Sequence, residues 1–195
     1  MSQRVLIAGD AASIADACRS ALAADGAEVL MLDADLREWD DIQRAVAEVV
    51  SLGSRIDVLV NVGSAGPPTG SFVDSSEEAL THVVGLHLGG AVAVTRAVLA
   101  VMIPQRSGRI INIVSETGQV GGAGRVAYDA CEAAVTTLTR NLAEEVPDDG
   151  ISVVAVTSPS GGADPVALGG VVAFLASTTG AAVHGSVVAV GRDFP

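Results

Sequence analysis

Short apolar runs alternate with longer segments of helical period along the whole chain, and this alternation is what most restricts the fold. The short runs predict buried strands, and the segments between them carry apolar residues three and four positions apart, which predicts helices. A repeated strand–helix order indicates a parallel sheet with helices on both faces. The sequence therefore predicts an α/β fold, a doubly wound parallel sheet, with residues 1–195 in a single domain.

The runs also give approximate positions for the elements. The predicted strands are residues 4–8, 28–32, 56–60, 109–114, 152–156 and 186–190. One predicted helix follows Gly9, and four more cover residues 36–50, 79–102, 126–145 and 166–176.

Capping residues predict where two of the helices begin and where one ends. Asp35 is expected to cap the second helix, because a short polar side chain can accept a hydrogen bond from the first helical turn. Ser75 and Ser76, followed by Glu78, are expected to begin the third helix. Pro104 is expected to end it.

Composition excludes several classes of function. The formal net charge is -12, which argues against binding to nucleic acid or to an anionic membrane surface, because both depend on clustered Lys and Arg. The apolar segment 83–103 contains His87 and Arg96, so no membrane span is expected, and the first apolar run is too short for a signal peptide. We therefore expect a cytoplasmic protein. Cys18 and Cys131 lack metal-ligand spacing and are expected to be free, buried thiols.

One segment carries the most specific pattern in the chain. Residues 108–146 read GRIINIVSETGQVGGAGRVAYDACEAAVTTLTRNLAEEV, in which Tyr128 follows Ser115 by 13 residues. The stretches IDVLVN, MIPQRSGRI and VVAFLAS surround it in the sequence. Together these segments resemble the short-chain dehydrogenase/reductase family, and the resemblance extends from Val5 to Val190. It implies a Rossmann-like fold.

The resemblance also implies a catalytic role for Ser115 and Tyr128. In the family, the tyrosine exchanges a proton with substrate while hydride moves to or from a nicotinamide, and a nearby lysine and asparagine assist it. Glu132 stands at the lysine position and His87 at the asparagine position. Glu132 lies one helical turn after Tyr128, and a carboxylate there makes the phenol a weaker acid. Ser115 and Tyr128 are therefore expected to be vestigial.

The family's glycine-rich cofactor turn is reduced in this chain. The pattern T-G-x-x-x-G-x-G corresponds to residues 8–15, where only Gly9 remains. Glycines are needed there so that a pyrophosphate can approach the helix N-terminus, and Asp10 adds a carboxylate close to that position. Loss of the glycines predicts that no NAD(P) binds to this chain.

If any cofactor contact survives, the candidates are Gly9, Asp33 and Asn61. Asp33 follows the second strand, where an acidic residue can hold a ribose hydroxyl. Asn61 is the one residue kept from the family's N-N-A-G sequence. No metal site is expected, because His82 and His184 have no convergent set of ligands.

Two segments are shorter than the family pattern implies. Only 52 positions separate Gly9 from Asn61, which leaves room for two strand–helix units where the resemblance implies three. Residues 160–164 separate Ser158 and Pro159 from the next helix, which is too short for a substrate lid. The domain is expected to lack about one βα unit and the lid.

The elements that form subunit interfaces in the family are nevertheless present. The resemblance implies one interface through helices 79–102 and 126–145, and a second through the C-terminal helix and strand. The leading hypothesis is a catalytically deficient subunit that assembles with an active paralogue, as a hetero-oligomer and most simply a tetramer. NAD(P) would then bind to the partner, and the substrate would be of the hydroxyacyl-CoA type. The arrangement would resemble that of heteromeric short-chain dehydrogenases with a non-catalytic subunit.

Two alternatives stay open. One is an atypical NAD(P)-dependent oxidoreductase that uses Ser115 and Tyr128, with His87 supplying positive charge. The other is a cofactor-free lyase that resembles halohydrin dehalogenases, although these enzymes place arginine at the position of Glu132.

Overall fold

A computed structural model describes residues 2–9, 11–53, 55–63, 70–158 and 164–191. In this part of the chain, six parallel strands form one sheet in the order β2-β1-β3-β4-β5-β6. The strands are β1 (Arg4–Ala8), β2 (Glu28–Met31), β3 (Val58–Asn61), β4 (Gly108–Ser115), β5 (Ile151–Ser158) and β6 (Val187–Ala189). The predicted doubly wound α/β fold is confirmed, and two strand–helix units precede β3 as expected.

Helices connect the strands across both faces of the sheet. They are α1 (Ala12–Ala24), α2 (Trp39–Ser51), α3 (Glu77–Val83), α4 (Gly90–Gln105), α5 (Thr117–Val120), α6 (Val126–Glu145) and α7 (Pro165–Ala176). A π-helical segment, Val84–Gly89, joins α3 to α4, so that Glu77–Gln105 is one continuous helix.

Two apolar cores fill the space between the sheet and its helices. One core holds residues of α1 and α7 against one face of the sheet, including Cys18, Leu22, Leu168 and Val172. The other core holds residues of α2, α4 and α6 against the opposite face. β1 is hydrogen-bonded to β2 on one side and to β3 on the other. The chain order therefore reverses between β1 and β3, and in sheets of this kind ligands bind beside the carboxyl ends of the strands at that reversal.

Some predicted helix ends are wrong. Asp35 does not cap α2; its carboxylate accepts hydrogen bonds from Arg37, and the helix begins only at Trp39. Pro104 lies inside the last turn of α4, which ends one residue later when Arg106 adopts a left-handed conformation. Ser76 does cap α3, because its hydroxyl accepts a hydrogen bond from the Ala79 N–H group at 3.1 Å.

The helix Glu77–Gln105 is long and apolar enough to cross a membrane by length and composition, so His87 and Arg96 do not interrupt it as strongly as expected. A single helix of this kind is weak evidence, because the core helices of globular proteins pass the same test. Its buried face includes Val94, Val98 and Met102, which pack in the core between the sheet and helices α2, α4 and α6. Cys18 and Cys131 are free and buried, as predicted.

Candidate active site

Four family positions converge beside the carboxyl end of β4. Ser115 is the last residue of this strand, Tyr128 lies in the first turn of α6, and Glu132 lies one turn further along the same helix. His87 comes from the π-helical segment of the preceding long helix and is buried. Residues chosen from the family pattern therefore do meet in one place.

Tyr128 is held between His87 and Ser115. The His87 and Tyr128 rings meet edge to face, with centroids 4.8 Å apart and an interplanar angle of 86°. Burial, and secondly the charge of Glu132, raise the pKa of Tyr128 to about 12, although a hydrogen bond with Ser115 acts in the opposite direction. The phenol is thus a weaker acid than a free tyrosine, whose pKa is about 10.

Glu132 occupies the lysine position as a buried carboxylate, with only 5% of the residue exposed. Its Oε2 atom accepts a hydrogen bond from the Ser115 backbone N–H group at 2.6 Å. Its Oε1 atom lies 3.6 Å from Nδ1 of His87, and Nδ1 has no hydrogen-bond acceptor or donor partner among the described residues. Glu132 therefore anchors the end of β4 to α6 and places negative charge beside Tyr128.

A second buried carboxylate, which the sequence reasoning missed, extends this network. Oδ1 of Asp129 accepts a hydrogen bond from the Thr117 hydroxyl at 2.5 Å, and the Thr117 and Ser115 hydroxyls are 2.8 Å apart. Nε of Arg125 lies 3.9 Å from Oδ2 of Asp129. Asp129 stands three positions before Glu132, so both project from neighbouring positions on α6. This three-residue spacing is the sequence signal from which Asp129 could have been found.

The π-helical segment explains how His87 reaches the site. π-helical turns are rare and are frequently found at functional sites. Here the turn lies between Val84 and Gly89 and directs His87 onto Tyr128.

The cofactor candidates are separated by the structure. Gly9 and Asp33 line a hollow of about 400 Å³ together with Asp35, Arg37 and His82. Arg37 is bonded to Asp35 through both its Nε and Nη2 atoms, at 2.9 and 2.5 Å. The arginine in this hollow is therefore already neutralised, and two carboxylates face the same space.

Gly9 has a reason to be glycine that does not involve a ligand. Its φ angle is +126°, and a Cβ atom there would lie 2.6 Å from the Gly63 carbonyl oxygen and 2.9 Å from that of Val62. The close approach of the segment after β3 thus requires glycine.

The side chain of Asn61 is buried and donates its hydrogen bonds within the protein core. Its amide donates to Oδ1 of Asn112 at 2.8 Å and to the Thr95 hydroxyl at 3.1 Å, and Asn112 in turn donates to Thr139 at 2.8 Å. This buried chain ties β3 and β4 to α4 and α6.

Two features of the described residues argue against a bound nicotinamide dinucleotide. The hollow beside Gly9 offers no unpaired arginine for a pyrophosphate, and Glu132 opposes the charge that a ribose-binding lysine would supply. Asp10, Ser64 and residues 159–163, which include most of the segment 160–164 expected to be too short for a lid, lie outside the described residues. Within the described part, no group of three His, Cys, Asp or Glu side chains is placed to bind a metal ion.

Several known proteins with similar sequences are named as reductases. The chain is 34% identical over 142 residues to a 3-oxoacyl-(acyl-carrier-protein) reductase of Synechocystis, covering 73% of this chain and 57% of that protein. It is 33% identical over 147 residues to an acetoacetyl-CoA reductase of Allochromatium vinosum, covering 75% of this chain and 59% of that protein. The chain therefore spans less than two thirds of the length of these relatives.

The fold has close counterparts among solved structures. A 3-ketoacyl-(acyl-carrier-protein) reductase from Brucella melitensis, complexed with NADH, superposes with a TM-score of 0.89 at 20% identity, covering 98% of each chain. At this identity, the likeness shows the fold. The model of the short chain dehydrogenase family matches residues 2–163. With this match, and with Ser115 and Tyr128 in contact at the end of β4, the chain belongs to the short-chain dehydrogenase family.

Proposed function

We propose that this protein is a catalytically deficient member of the short-chain dehydrogenase family that acts as a subunit beside an active paralogue. The observation that carries the proposal is the buried Glu132 carboxylate at the lysine position, within 3.6 Å of His87 and bonded to Ser115. The site is built around a negative charge where the family's reaction uses a positive one.

The reversed charge opposes the proton transfer that the family's reaction needs. A tyrosine acts near neutral pH only when its neighbours lower its pKa toward that range. Here burial and Glu132 raise the pKa of Tyr128 to about 12. The Ser115 hydroxyl is also engaged with Thr117, so it is less available to orient a substrate oxygen.

Assembly is supported by an apolar groove on the outer side of α2, α4 and α6. The groove has a volume of about 850 Å³ and is lined mainly by aliphatic side chains, among them Val50, Leu99, Val101, Leu138 and Leu142. Apolar surface of this kind is typical of obligate subunit interfaces. α4 and α6 are the helices through which we expect the active paralogue, which would hold NAD(P), to bind.

Co-expression with a short-chain dehydrogenase encoded next to this protein tests the proposal. We expect the two chains to co-purify as a hetero-oligomer, and the partner to lose activity or solubility without this chain. Leu138→Arg, which places a charge in the groove, is expected to abolish co-purification. Arg140→Ala on the exposed side of α6 serves as the matched control. A homo-oligomer that never exchanges subunits with such a partner contradicts the proposal.

An atypical NAD(P)-dependent oxidoreductase is the second candidate, favoured by the retained contacts of Tyr128 with Ser115 and His87. Its substrate would be a 3-oxoacyl thioester, by analogy with the reductases named above. Reduction of acetoacetyl-CoA by the purified chain, lost in Tyr128→Phe, would support it. In either case, we expect the protein to act in the cytoplasm.

A further inference from the structure

A polar hollow lies at the amino ends of β3, β4 and β5, on the edge of the sheet opposite to Tyr128. Its volume is about 520 Å³. Its lining includes Arg55, Asp57, Arg109, Ser152, Ser177 and Thr178. None of these residues belongs to the family site described above.

Arg109 is an unusual component of this lining because it is buried without an acidic partner. Only 4% of the residue is exposed, yet no carboxylate of the described residues lies within 4.0 Å of its guanidinium. Arg4, the other buried arginine in the described chain, is paired with Glu28 at 3.0 Å. A buried charge is costly unless it is compensated, so the isolation of Arg109 needs an explanation.

The hydrogen bonds of Arg109 are incomplete. Nη1 donates to the Ser152 hydroxyl at 2.8 Å, and Nη2 donates to the carbonyl oxygens of Val183, at 3.1 Å, and Gly180. Nε is buried and has no acceptor among the described residues. Burial lowers the pKa of Arg109 to about 10, which still leaves the guanidinium charged at neutral pH.

The other charged and titratable groups around the hollow do not compensate the positive charge of Arg109. Asp57 is neutralised by Arg55, whose Nε donates to its Oδ1 atom at 2.8 Å, and its Oδ2 atom accepts from the Arg4 backbone at 2.8 Å. Both ring nitrogens of His184 are bonded to the backbone, at Val153 and Ala143. Arg109 is therefore the uncompensated charge of this hollow, in a chain whose net charge is -12.

We infer that this hollow binds a small oxyanion, a phosphate or sulfate group, which is attracted by the buried positive charge of Arg109 and held by Arg55 and the hydroxyl groups at the lining. The guanidinium group suits such anions because its planar donors match their oxygen atoms. Arg55 lies partly exposed at the cavity lining and is paired with Asp57, so an entering anion would compete with that carboxylate for the donors of Arg55. The site is independent of the function proposed above.

Calorimetric titration of the whole chain with inorganic phosphate, at constant ionic strength, tests the inference. We expect saturable binding with a Kd on the order of 1 mM. Arg55→Gln should weaken binding several-fold, and Asp57→Asn should strengthen it, because the two changes alter the local charge in opposite directions. Arg44→Gln removes an exposed, carboxylate-paired arginine from α2 and should leave binding unchanged.

The outcomes separate the sources of the anion and decide the proposal. Tighter binding of glycerol phosphate than of phosphate would identify the phosphate of a larger metabolite, and equal binding would identify the free anion. Arg109→Lys should also weaken binding. If that variant does not fold, the Arg55→Gln and Asp57→Asn variants, which should change binding in opposite directions, still test the inference. Absence of saturable binding, or binding that neither change alters, would overturn the inference.

Discussion

Glu132 reverses a charge in a chain that contains no lysine at all; its 11 basic residues are all arginine. If the lysine had been lost only through this compositional preference, arginine would be the expected replacement. A carboxylate stands there instead, with its own hydrogen bond to Ser115 and a neighbouring imidazole. The contacts of Glu132 with Ser115 and His87 therefore form a network that uses its carboxylate oxygen atoms.

Glu132→Gln tests the electrostatic part of this description. The substitution removes the charge next to Tyr128, so the pKa of the tyrosine should fall below its wild-type value of about 12. Burial is the larger cause and remains, so the pKa should stay above the ordinary value of about 10. Tyr128 is the chain's single tyrosine, so tyrosinate absorbance reports it without ambiguity. A wild-type midpoint near the ordinary value would contradict the account.

Tyr128→Phe tests the consequence for stability. The folded-state pKa of Tyr128 is raised, so its contribution is fully present below about pH 10 and is lost as the pH rises toward the folded value. The free energy of unfolding of the wild type should therefore fall more steeply above about pH 10 than that of the variant. Cys18, whose pKa burial raises to about 12, adds a loss of the same sign to both proteins. Equal slopes in urea unfolding at alkaline pH would refute the assignment.

The sequence located Ser115, Tyr128, Glu132 and His87 because helical spacing and the family pattern fix their positions. Asp129 and Thr117 were missed for a physical reason. Polar residues beside Tyr128 are equally compatible with a solvent-facing helix, and packing of α5 over α6 buries them. Gly118 permits that packing, since a Cβ atom there would lie 2.7 Å from Cβ of Glu132.

At the scale of elements, α1 and α7 pack closely because of one glycine. A Cβ atom on Gly169 would lie 2.7 Å from the Ala17 carbonyl oxygen, whereas one on Gly170 would meet nothing within 4 Å. Both residues lie in α7, but only Gly169 is buried against α1. The two neighbours therefore form a matched pair for mutation.

Gly169→Ala should destabilise the protein by about 1–3 kcal/mol, because the added methyl group forces the helices apart. Gly170→Ala should stabilise it by up to about 1 kcal/mol, because alanine has the higher helix propensity and space is open. Chemical denaturation of both variants measures the difference. A similar change in both would mean that the α1–α7 contact is looser than described.

Strand positions were predictable because apolar runs mark them directly, while helix ends depended on contacts outside the local sequence. Asp35 was predicted as a cap but pairs with Arg37, and Pro104 fits within the final turn of α4. The π-helical turn at Val84–Gly89 has no signal in periodicity, because one additional residue per turn is a local deviation that tertiary packing stabilises.

At the scale of the whole molecule, the six-stranded order follows from the short distance between Gly9 and Asn61, which allows two strand–helix units before β3. β2 therefore forms one edge of the described sheet, on the side where an adenosine would be expected in the family. The hollow beside Gly9 contains Asp33, Asp35 and the paired Arg37. The apolar groove on α4 and α6 lies apart from this hollow. These features support the proposal that the protein acts as a subunit of an assembly.

Calorimetric titration of the purified chain with NADH and NADPH tests the central claim most directly. The paired arginine in the hollow and the reversed charge at Glu132 predict no binding at millimolar cofactor. Glu132→Lys is a useful companion, because it restores the family's charge without restoring the glycines and should still bind little cofactor. Micromolar binding by the wild type would contradict the account and would favour an active, atypical reductase.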